Sequence, residues 1–157
     1  AGAEYDIQPA CPSLARSVEG GLLSYCSDIT LEDNPFTIGM DRLLDIDKPQ
    51  DYVGKSALQA IAKTGTERRL VGANFQGEPV RPNAHFMPIK VDETVVGHVT
   101  RYVYSPRLTH NIALVNVPSA LATPGTIIWL DAGDGWREAE ITALPWIPAE
   151  KVIPSFA

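Results

Sequence analysis

The sequence predicts an α+β protein in which a mixed, partly helical segment is followed by a C-terminal six-stranded antiparallel β-barrel. Beyond residue 66, short β-branched and aromatic runs alternate with turns rich in Gly, Pro, Asn and Asp, as in small closed barrels. Before that point the chain has helical periodicity and irregular polar stretches instead. We therefore expect two regions, residues 1–65 and residues 66–157.

The first region is expected to contain two helices. Ser13 can cap a short helix over residues 14–18 by accepting an N–H bond from the first turn, and Gly20-Gly21 ends it. A stronger helix is predicted over residues 55–63, with Gly65 as its left-handed cap. Its apolar face comprises Ala57, Leu58, Ile61 and Ala62. Residues 1–5 look like the last turn of a helix that begins earlier.

The second region is expected to form the barrel. The predicted strands are residues 69–75, 85–91, 95–104, 111–117, 126–130 and 136–143. Gly97 interrupts the third strand and predicts a bulge or bend, while Ser105-Pro106 ends that strand because proline cannot donate to a ladder. The proline-rich tail from Pro145 is expected to wrap the surface.

Composition and charge exclude several classes of function. The formal net charge of −6 argues against a nucleic-acid partner, which requires a basic face. No apolar run approaches the roughly 20 residues that span a bilayer, and because residues 1–10 mix Glu4, Asp6 and Gln8 with small residues, we expect no signal peptide there. Cys11 and Cys26 are too far apart for a CxxC site, and we expect reduced thiols rather than a disulfide. The protein is therefore expected to be cytoplasmic, with no membrane partner.

The common catalytic motifs are missing from the sequence. It has no GxSxG, P-loop or GxGxxG pattern. The three histidines are scattered, and Asp45, Asp47 and Asp51 lack the spacing of a cation loop, so no metal site is expected. Glu19 is the one candidate of interest. A carboxylate at a helix end beside two glycines could accept paired N–H donors from a flat heterocycle, but the pattern by itself favours an exposed glutamate, because Glu is rarely buried unless paired.

Five segments occur in an order that is typical of one family. They are residues 16–25 (RSVEGGLLSY), 33–40, 51–58, 68–72, and the stretch from Gly97 through Ser105-Pro106 to Leu114. Together they resemble the glycine-cleavage T-protein family of tetrahydrofolate-dependent methyl- and aminomethyltransferases. The matching segments cover nearly the whole chain.

This resemblance implies a role for each region. Residues 1–65 would be the C-terminal part of the folate-binding α+β region, and residues 66–157 the C-terminal β-barrel domain. The cofactor would be tetrahydrofolate, with Glu19 on the pterin ring and Tyr25 as a second cofactor-binding residue. The family's full chain is more than twice as long, and its catalytic aspartate lies in the N-terminal part. We therefore expect no catalytic residue in this chain, and no turnover by it alone.

Details of the motifs favour one branch of the family. Gln50 stands where the members closest to the glycine-cleavage enzyme place an arginine, and residues 11–12, 19–25 and 32–36 look more like dimethylsulfoniopropionate demethylases. The preferred function is methyl transfer from dimethylsulfoniopropionate, or a similar S-, N- or O-methyl donor, to tetrahydrofolate. The expected partners are that small-molecule donor and the N-terminal part of the same enzyme. An aminomethyltransferase of glycine cleavage and a non-catalytic folate-binding or docking module remain open alternatives.

Overall fold

The computed structural model describes residue 4 and residues 13–148. Two α-helices and two 3-10 turns accompany six strands. The helices are α1 (Leu14–Glu19) and α2 (Lys55–Thr64), and the 3-10 turns are Asp41–Leu43 and Ser119–Leu121. The strands are β1 (Arg68–Phe75), β2 (Met87–Val91), β3 (Thr94–Ser105), β4 (His110–Pro118), β5 (Ile127–Asp131) and β6 (Trp136–Thr142). Both predicted α-helices and all six predicted strands are confirmed, with ends that differ by at most two residues.

The strands form a closed barrel in the order β1-β4-β3-β2-β5-β6. Every pair of neighbours is antiparallel, so the predicted six-stranded antiparallel barrel is confirmed. Apolar side chains fill the interior, among them Phe75, Ile89, Val115 and Leu130. Because a barrel of this size is filled by its own side chains, a ligand has to bind outside the lumen.

Strand β3 carries two irregularities of register. Ile89 pairs with Gly97 and Lys90 with Val95, which leaves one extra residue, Val96, on β3. The bend predicted at Gly97 is therefore present. A Cβ on Gly97 would collide with the carbonyl oxygen of Asn116 on β4. Only glycine allows the two backbones to approach this closely.

The second irregularity of β3 lies at Thr100. Val99 pairs with Val115 and Arg101 with Leu114, so Thr100 is an extra residue opposite β4. Successive strand residues normally point to opposite faces, and a bulge changes that alternation. As a result, the neighbours Thr100 and Arg101 can both direct their side chains toward the same outer face.

Helix α1 covers part of the outer face of the barrel. Val18 packs against Leu70, Val103, Ile112 and Leu114, which project outward from β1, β3 and β4. The segment after β6 covers the adjoining surface, where Trp146 Nε1 donates to Asn74 Oδ1 at 2.6 Å. The expected wrapping of the tail is thus present as far as residue 148. The rest of the tail, residues 149–157, lies outside the described residues. So do Cys11 and, apart from residue 4, the predicted helix end at residues 1–5.

Helix α2 is covered less completely than its sequence pattern predicts. Leu58 and Ile61 are half-buried, whereas Ala57 and Ala62 are exposed. Gly65 ends the helix at a φ of 77°, and its N–H donates to the carbonyl of Ile61 at 2.8 Å. Its ψ of −175° is extended, so the predicted left-handed helical conformation of Gly65 is wrong. The positive φ still favours glycine at this position. The domain boundary between residues 65 and 66 stays a prediction.

Within the part of the chain that the structure describes, no helix is both long and apolar enough to cross a lipid bilayer.

Replacing Gly97 by alanine tests the close approach of β3 and β4. The added methyl group has no space beside the Asn116 carbonyl, so Gly97→Ala is expected to destabilise the fold by about 1–3 kcal/mol. Urea unfolding followed by circular dichroism measures this change. The control is Val95→Thr on the same strand, where the side chain is 62% exposed and a change within about 0.5 kcal/mol is expected. Equal midpoints for the two variants would contradict the packing described here.

Candidate functional site

The carboxylate of Glu19 lies at the end of α1, where the helix meets the barrel. The side chain of Ser13 accepts the N–H of Arg16 at 3.4 Å and starts the helix as predicted, while Gly20 forms its C-cap. Val18 packs into the apolar layer between α1 and the barrel, so the next residue, Glu19, lies at the edge of that layer. Glu19 is only 4% exposed. The exposed position that the pattern allowed is therefore excluded.

Ser105, the last residue of β3, holds this carboxylate. Its hydroxyl donates to Glu19 Oε1 at 2.6 Å and accepts the N–H of Leu108 at 3.0 Å. The backbone of Glu19 is also fixed, because its carbonyl accepts the N–H of Trp146 at 3.0 Å and that of Ile147 at 3.2 Å. Helix α1, strand β3 and the segment after β6 thus converge on one residue.

The electrostatic environment of Glu19 is unusual for a buried acid. Carboxylates are rarely buried unless a cation or several N–H groups pair with them. Within the described part of the chain, no Lys, Arg or His lies within 4.0 Å of Glu19, and Ser105 is its one side-chain donor. The carboxylate therefore keeps acceptor capacity for an incoming group with N–H donors.

A second acidic residue, Asp28, locks the loop that follows α1. Its side chain is fully buried and accepts Arg101 Nη2 at 2.6 Å and Arg101 Nε at 3.1 Å. Thr100 Oγ1 donates to the same carboxylate at 2.6 Å, and the N–H of Ser24 does so at 2.7 Å. Arg101 also donates to the carbonyl of Leu22 at 2.6 Å. This network, which we call the Asp28 clasp, attaches the loop to the bulge of β3.

Tyr25 lies in the loop held by the Asp28 clasp. It is 60% exposed and forms an isolated bridge with Ile29. The following residue, Cys26, is exposed and adopts a φ of 67°, which produces a sharp turn. No hydrogen bond joins Tyr25 to Glu19 among the described residues. The structure therefore places Glu19 at the end of α1 and Tyr25 in the loop that follows, with no hydrogen bond between them.

Two cavities lie near these elements. One, of about 750 Å³, lies between α2 and β1 and is lined by Phe36, Ile61 and Leu70. The other, of about 540 Å³, is lined by Cys26, Phe86 and Arg101. Glu19 lines neither cavity. A ligand that binds Glu19 would therefore need a binding site lined in part by residues other than the described ones.

The histidines and the aspartate cluster considered in the sequence show no arrangement typical of a binding site among the described residues. His98 stacks on Phe86 with the ring centroids 4.8 Å apart. Asp45, Asp47 and Asp51 are exposed, as expected for a solvated acidic edge. No group of three or more metal-ligating side chains occurs within the described residues.

Sequence reasoning missed the partners of both buried acids. The sequence pattern marks Ser105 only as the residue before Pro106, which ends the strand, and it marks no role for Asp28. Asp28 and Arg101 lie 73 positions apart, and Glu19 and Ser105 lie 86 apart. The local sequence carries no signal for such pairs.

The fold and the site together define a six-stranded barrel that carries a helical and irregular segment on its outer face. A family model described as the glycine cleavage T-protein C-terminal barrel domain matches residues 68–147. The chain belongs to the glycine cleavage T-protein family.

Curated relatives match over most of this chain. Dimethylsulfoniopropionate demethylase DmdA of Ruegeria pomeroyi is 33% identical over 146 residues, which cover 93% of this chain and 39% of that protein. An aminomethyltransferase of Saccharopolyspora erythraea is 34% identical over 148 residues, covering 92% of this chain and 40% of that protein. This chain thus spans about 40% of the length of either relative.

A solved structure shares the fold. The aminomethyltransferase T of the glycine cleavage system from Bartonella henselae superposes with a TM-score of 0.72 and 22% sequence identity. The matched part covers 85% of this chain and 37% of that chain.

Neutralising Asp28 tests the clasp. Asp28→Asn leaves the guanidinium of Arg101, which is 12% exposed, without its anionic partner, and we expect a loss of about 3–5 kcal/mol in the free energy of unfolding. Urea unfolding at pH 7 measures the loss. The control is Asp134→Asn, which removes the partner of Arg137 at an exposed carboxylate and should change stability little. Similar effects at the two positions would contradict a dominant role for the clasp.

His98 is expected to make stability depend on pH. Burial, followed by the positive charge of Arg68, lowers the pKa of His98 below its ordinary value of 6.5. At this site the unfolded chain therefore binds a proton more readily than the folded chain does. The contribution of His98 to the free energy of unfolding should be fully present above pH 6.5 and should be lost as the pH falls below that value. Unfolding free energies at pH 7.5 and 5.5, measured in urea, should differ less in His98→Gln than in the unaltered chain.

The exposed His85 supplies the control for this measurement. His85→Gln should retain the pH dependence of the unaltered chain, because this exposed side chain can be replaced without changing the surroundings of His98. An unchanged dependence in His98→Gln would show that other groups cause it.

Proposed function

We propose that this chain is the C-terminal part of a tetrahydrofolate-dependent methyltransferase in which Glu19 binds the pterin ring. The buried carboxylate of Glu19, held by a hydroxyl rather than by a cation, is the observation that carries this proposal. One edge of a pterin presents a ring N–H beside an amino group. Two adjacent donors of this kind match the two oxygens of a carboxylate. The residues present therefore fit the cofactor.

The contribution of these residues to the reaction is positioning. Bound tetrahydrofolate supplies the nitrogen that accepts the methyl group. Glu19 is held at its side chain by Ser105 and at its carbonyl by two N–H groups, so it can fix the orientation of the ring. Correct alignment of reacting atoms alone can lower a barrier by several kcal/mol, on the order of 7–11 in favourable cases. A sulfonium donor already carries a good leaving group, so little acid–base catalysis is required.

Tyr25 is proposed as a second contact with the cofactor. Its phenol ring is 60% exposed and sits on a loop whose position the Asp28 clasp determines. An exposed aromatic ring with a polar hydroxyl offers both a stacking surface and a hydrogen bond.

The N-terminal part of the same enzyme is the proposed partner. Glu19 lines neither of the two cavities, and α2 leaves Ala57 and Ala62 of its apolar face exposed. Both features are expected if another part of the polypeptide completes the folate site and covers the helix. Residues 1–65 would then belong to the folate-binding region and residues 66–157 to the barrel domain. The catalytic residue would lie in that N-terminal part, and residues 1–157 alone should not turn over substrate.

Dimethylsulfoniopropionate, or a similar S-, N- or O-methyl donor, is the preferred substrate. Gln50 at the position of a family arginine favours demethylation over aminomethyl transfer. The two named relatives are 33% and 34% identical to this chain, so aminomethyl transfer in glycine cleavage has equal support from overall similarity. A non-catalytic folate-binding or docking module is the third alternative. We propose the cytoplasm as the compartment, where reduced folates and thiols are maintained.

Substituting Glu19 by glutamine in the full-length enzyme tests the cofactor site. Glu19→Gln preserves shape but replaces one acceptor oxygen by an NH₂ group that opposes the ring donors. A charge-assisted hydrogen bond contributes about 1.5–3 kcal/mol, so the Kd for tetrahydrofolate should rise by about 10- to 150-fold. Calorimetric titration measures the Kd, and the exposed Glu32→Gln is the matched control. An unchanged Kd in Glu19→Gln would overturn the role of Glu19.

Product analysis with the full-length enzyme separates the alternatives. Incubation with tetrahydrofolate and dimethylsulfoniopropionate should yield methyl-tetrahydrofolate and the demethylated thioether, both detectable by mass spectrometry. Turnover of an aminomethyl-lipoyl carrier instead would establish the glycine-cleavage alternative. Folate binding without turnover of either donor would favour the non-catalytic module.

A further inference from the structure

The larger cavity, between α2 and β1, has no role in the proposed folate site. Its volume is about 750 Å³, and neither Glu19 nor Tyr25 lines it. Pockets of roughly 300–1,000 Å³ that lie between packed units are the usual binding places of small ligands. We call this cavity the α2 cleft, and its size fits a small molecule.

The fold holds the walls of the α2 cleft in place. The side chain of Asn34 accepts the N–H of Phe36 at 3.0 Å and that of Thr37 at 3.2 Å, which closes the turn on one side of the cleft. The carbonyl of Thr37 accepts the N–H of Leu70 on β1 at 2.7 Å and so attaches this turn to the barrel. Helix α2, the loop before β5 and the segment after β6 supply the remaining walls. A preformed cleft avoids the cost of ordering its walls when a ligand binds.

Much of the lining of the α2 cleft is apolar. Phe36, Ile61 and Leu144 belong to three separate segments, and each of these side chains is only partly buried. They can therefore lose further solvent-exposed area to a ligand, which contributes about 25 cal/mol for each Å² of apolar surface. The cleft can accept an apolar body.

The charged side chains that line the α2 cleft are Asp41, Arg42 and Arg69. Arg69 Nη2 pairs with Asp41 Oδ1 at 2.6 Å. Among the residues that the structure describes, no carboxylate lies within 4.0 Å of the Arg42 guanidinium. The lining thus has a net charge of +1, although the whole chain has a net charge of −6. An unpaired guanidinium beside an apolar surface favours an anion, and its two parallel N–H groups match a carboxylate.

We propose that the α2 cleft binds an amphipathic carboxylate, with the anionic group at Arg42 and the apolar body against Phe36 and Ile61. This site goes beyond the proposed folate function, since Glu19 and Tyr25 do not line the cleft. The competing occupant is the N-terminal part of the enzyme, which would fill the cleft and exclude a small molecule.

Displacement of a fluorescent probe from the full-length enzyme tests the site. The probe is anilinonaphthalene sulfonate, an aromatic anion whose fluorescence rises in apolar surroundings. Octanoate should displace it, and octanol, which has the same chain length without the charge, should do so more weakly. Arg42→Gln should raise the Kd for octanoate by about twofold to tenfold, because an exposed charge contributes less than a buried one. Arg42→Lys keeps the charge and should lose less affinity.

The matched control is Arg107→Gln. Arg107 is also exposed, but it lines none of the described cavities, so the Kd for octanoate should stay unchanged.

A second variant changes a different wall of the α2 cleft. Thr123→Glu adds a carboxylate and extra volume to the lining, so octanoate should bind at least as weakly as it does to Arg42→Gln. The control is Thr94→Glu, an exposed threonine of β3 outside the described cavities. Both threonines are exposed, so both variants should fold, which circular dichroism verifies.

Three results would overturn the proposal. If octanoate displaces no probe from the full-length enzyme, the N-terminal part fills the cleft or the cleft has no affinity for a carboxylate. Equal effects of Arg42→Gln and Arg107→Gln would place the bound octanoate elsewhere. Displacement of the probe by tetrahydrofolate would make the cleft a part of the cofactor site. The Kd for tetrahydrofolate in Glu19→Gln is a separate measurement, so failure of this proposal leaves the proposed function intact.

Discussion

The ion pair between Asp28 and Arg101 attaches the loop after α1 to the barrel. Both groups are almost completely removed from water, with side-chain exposures of 0% and 12%. Burying two charges is unfavourable unless they pair with good geometry and the remaining polar atoms are satisfied. The clasp meets this condition because the carboxylate accepts from Arg101, Thr100 and the backbone of Ser24. The loop that carries Tyr25 is therefore held in one position.

The bulge at Thr100 makes this arrangement possible. In a regular strand, Thr100 and Arg101 would point to opposite faces, and only one of them could reach Asp28. The extra residue in β3 lets both side chains contact the same carboxylate. The second irregularity, near Gly97, brings β3 close to the backbone of Asn116. The same strand thus supplies the anchor for the loop and, at its end, the serine that holds Glu19.

The outer face of the barrel bears the candidate site. Its interior is filled by apolar side chains and leaves no room for a cofactor. The first-region helix α1 and the segment after β6 cover the outer face next to Glu19, where three parts of the chain meet. Relatives named as a demethylase and as an aminomethyltransferase match this chain about equally well. Overall similarity therefore supports the two named activities of the relatives equally.

The local elements were predictable because their causes are local. Alternating β-branched residues and turn residues such as Pro106 and Gly97 marked the strands, and Ser13 and Gly65 marked helix ends. The family motifs were equally visible, since they are runs of neighbouring residues. The burial of Glu19 was not, because a glutamate followed by two glycines is usually exposed. Likewise, the apolar pattern of α2 predicted a buried face that the described residues cover only in part.

By itself, the sequence determined the order of helices and strands, the barrel class, and the family. Only the tertiary structure decided which polar groups meet: Asp28 with Arg101, and Glu19 with Ser105. These contacts join residues far apart in the chain and depend on strand register. A shift of register by one residue moves every side chain to the other face, and one bulge changes which neighbours share a face. Local periodicity does not encode the position of such a bulge, so the site could be derived only from the folded chain.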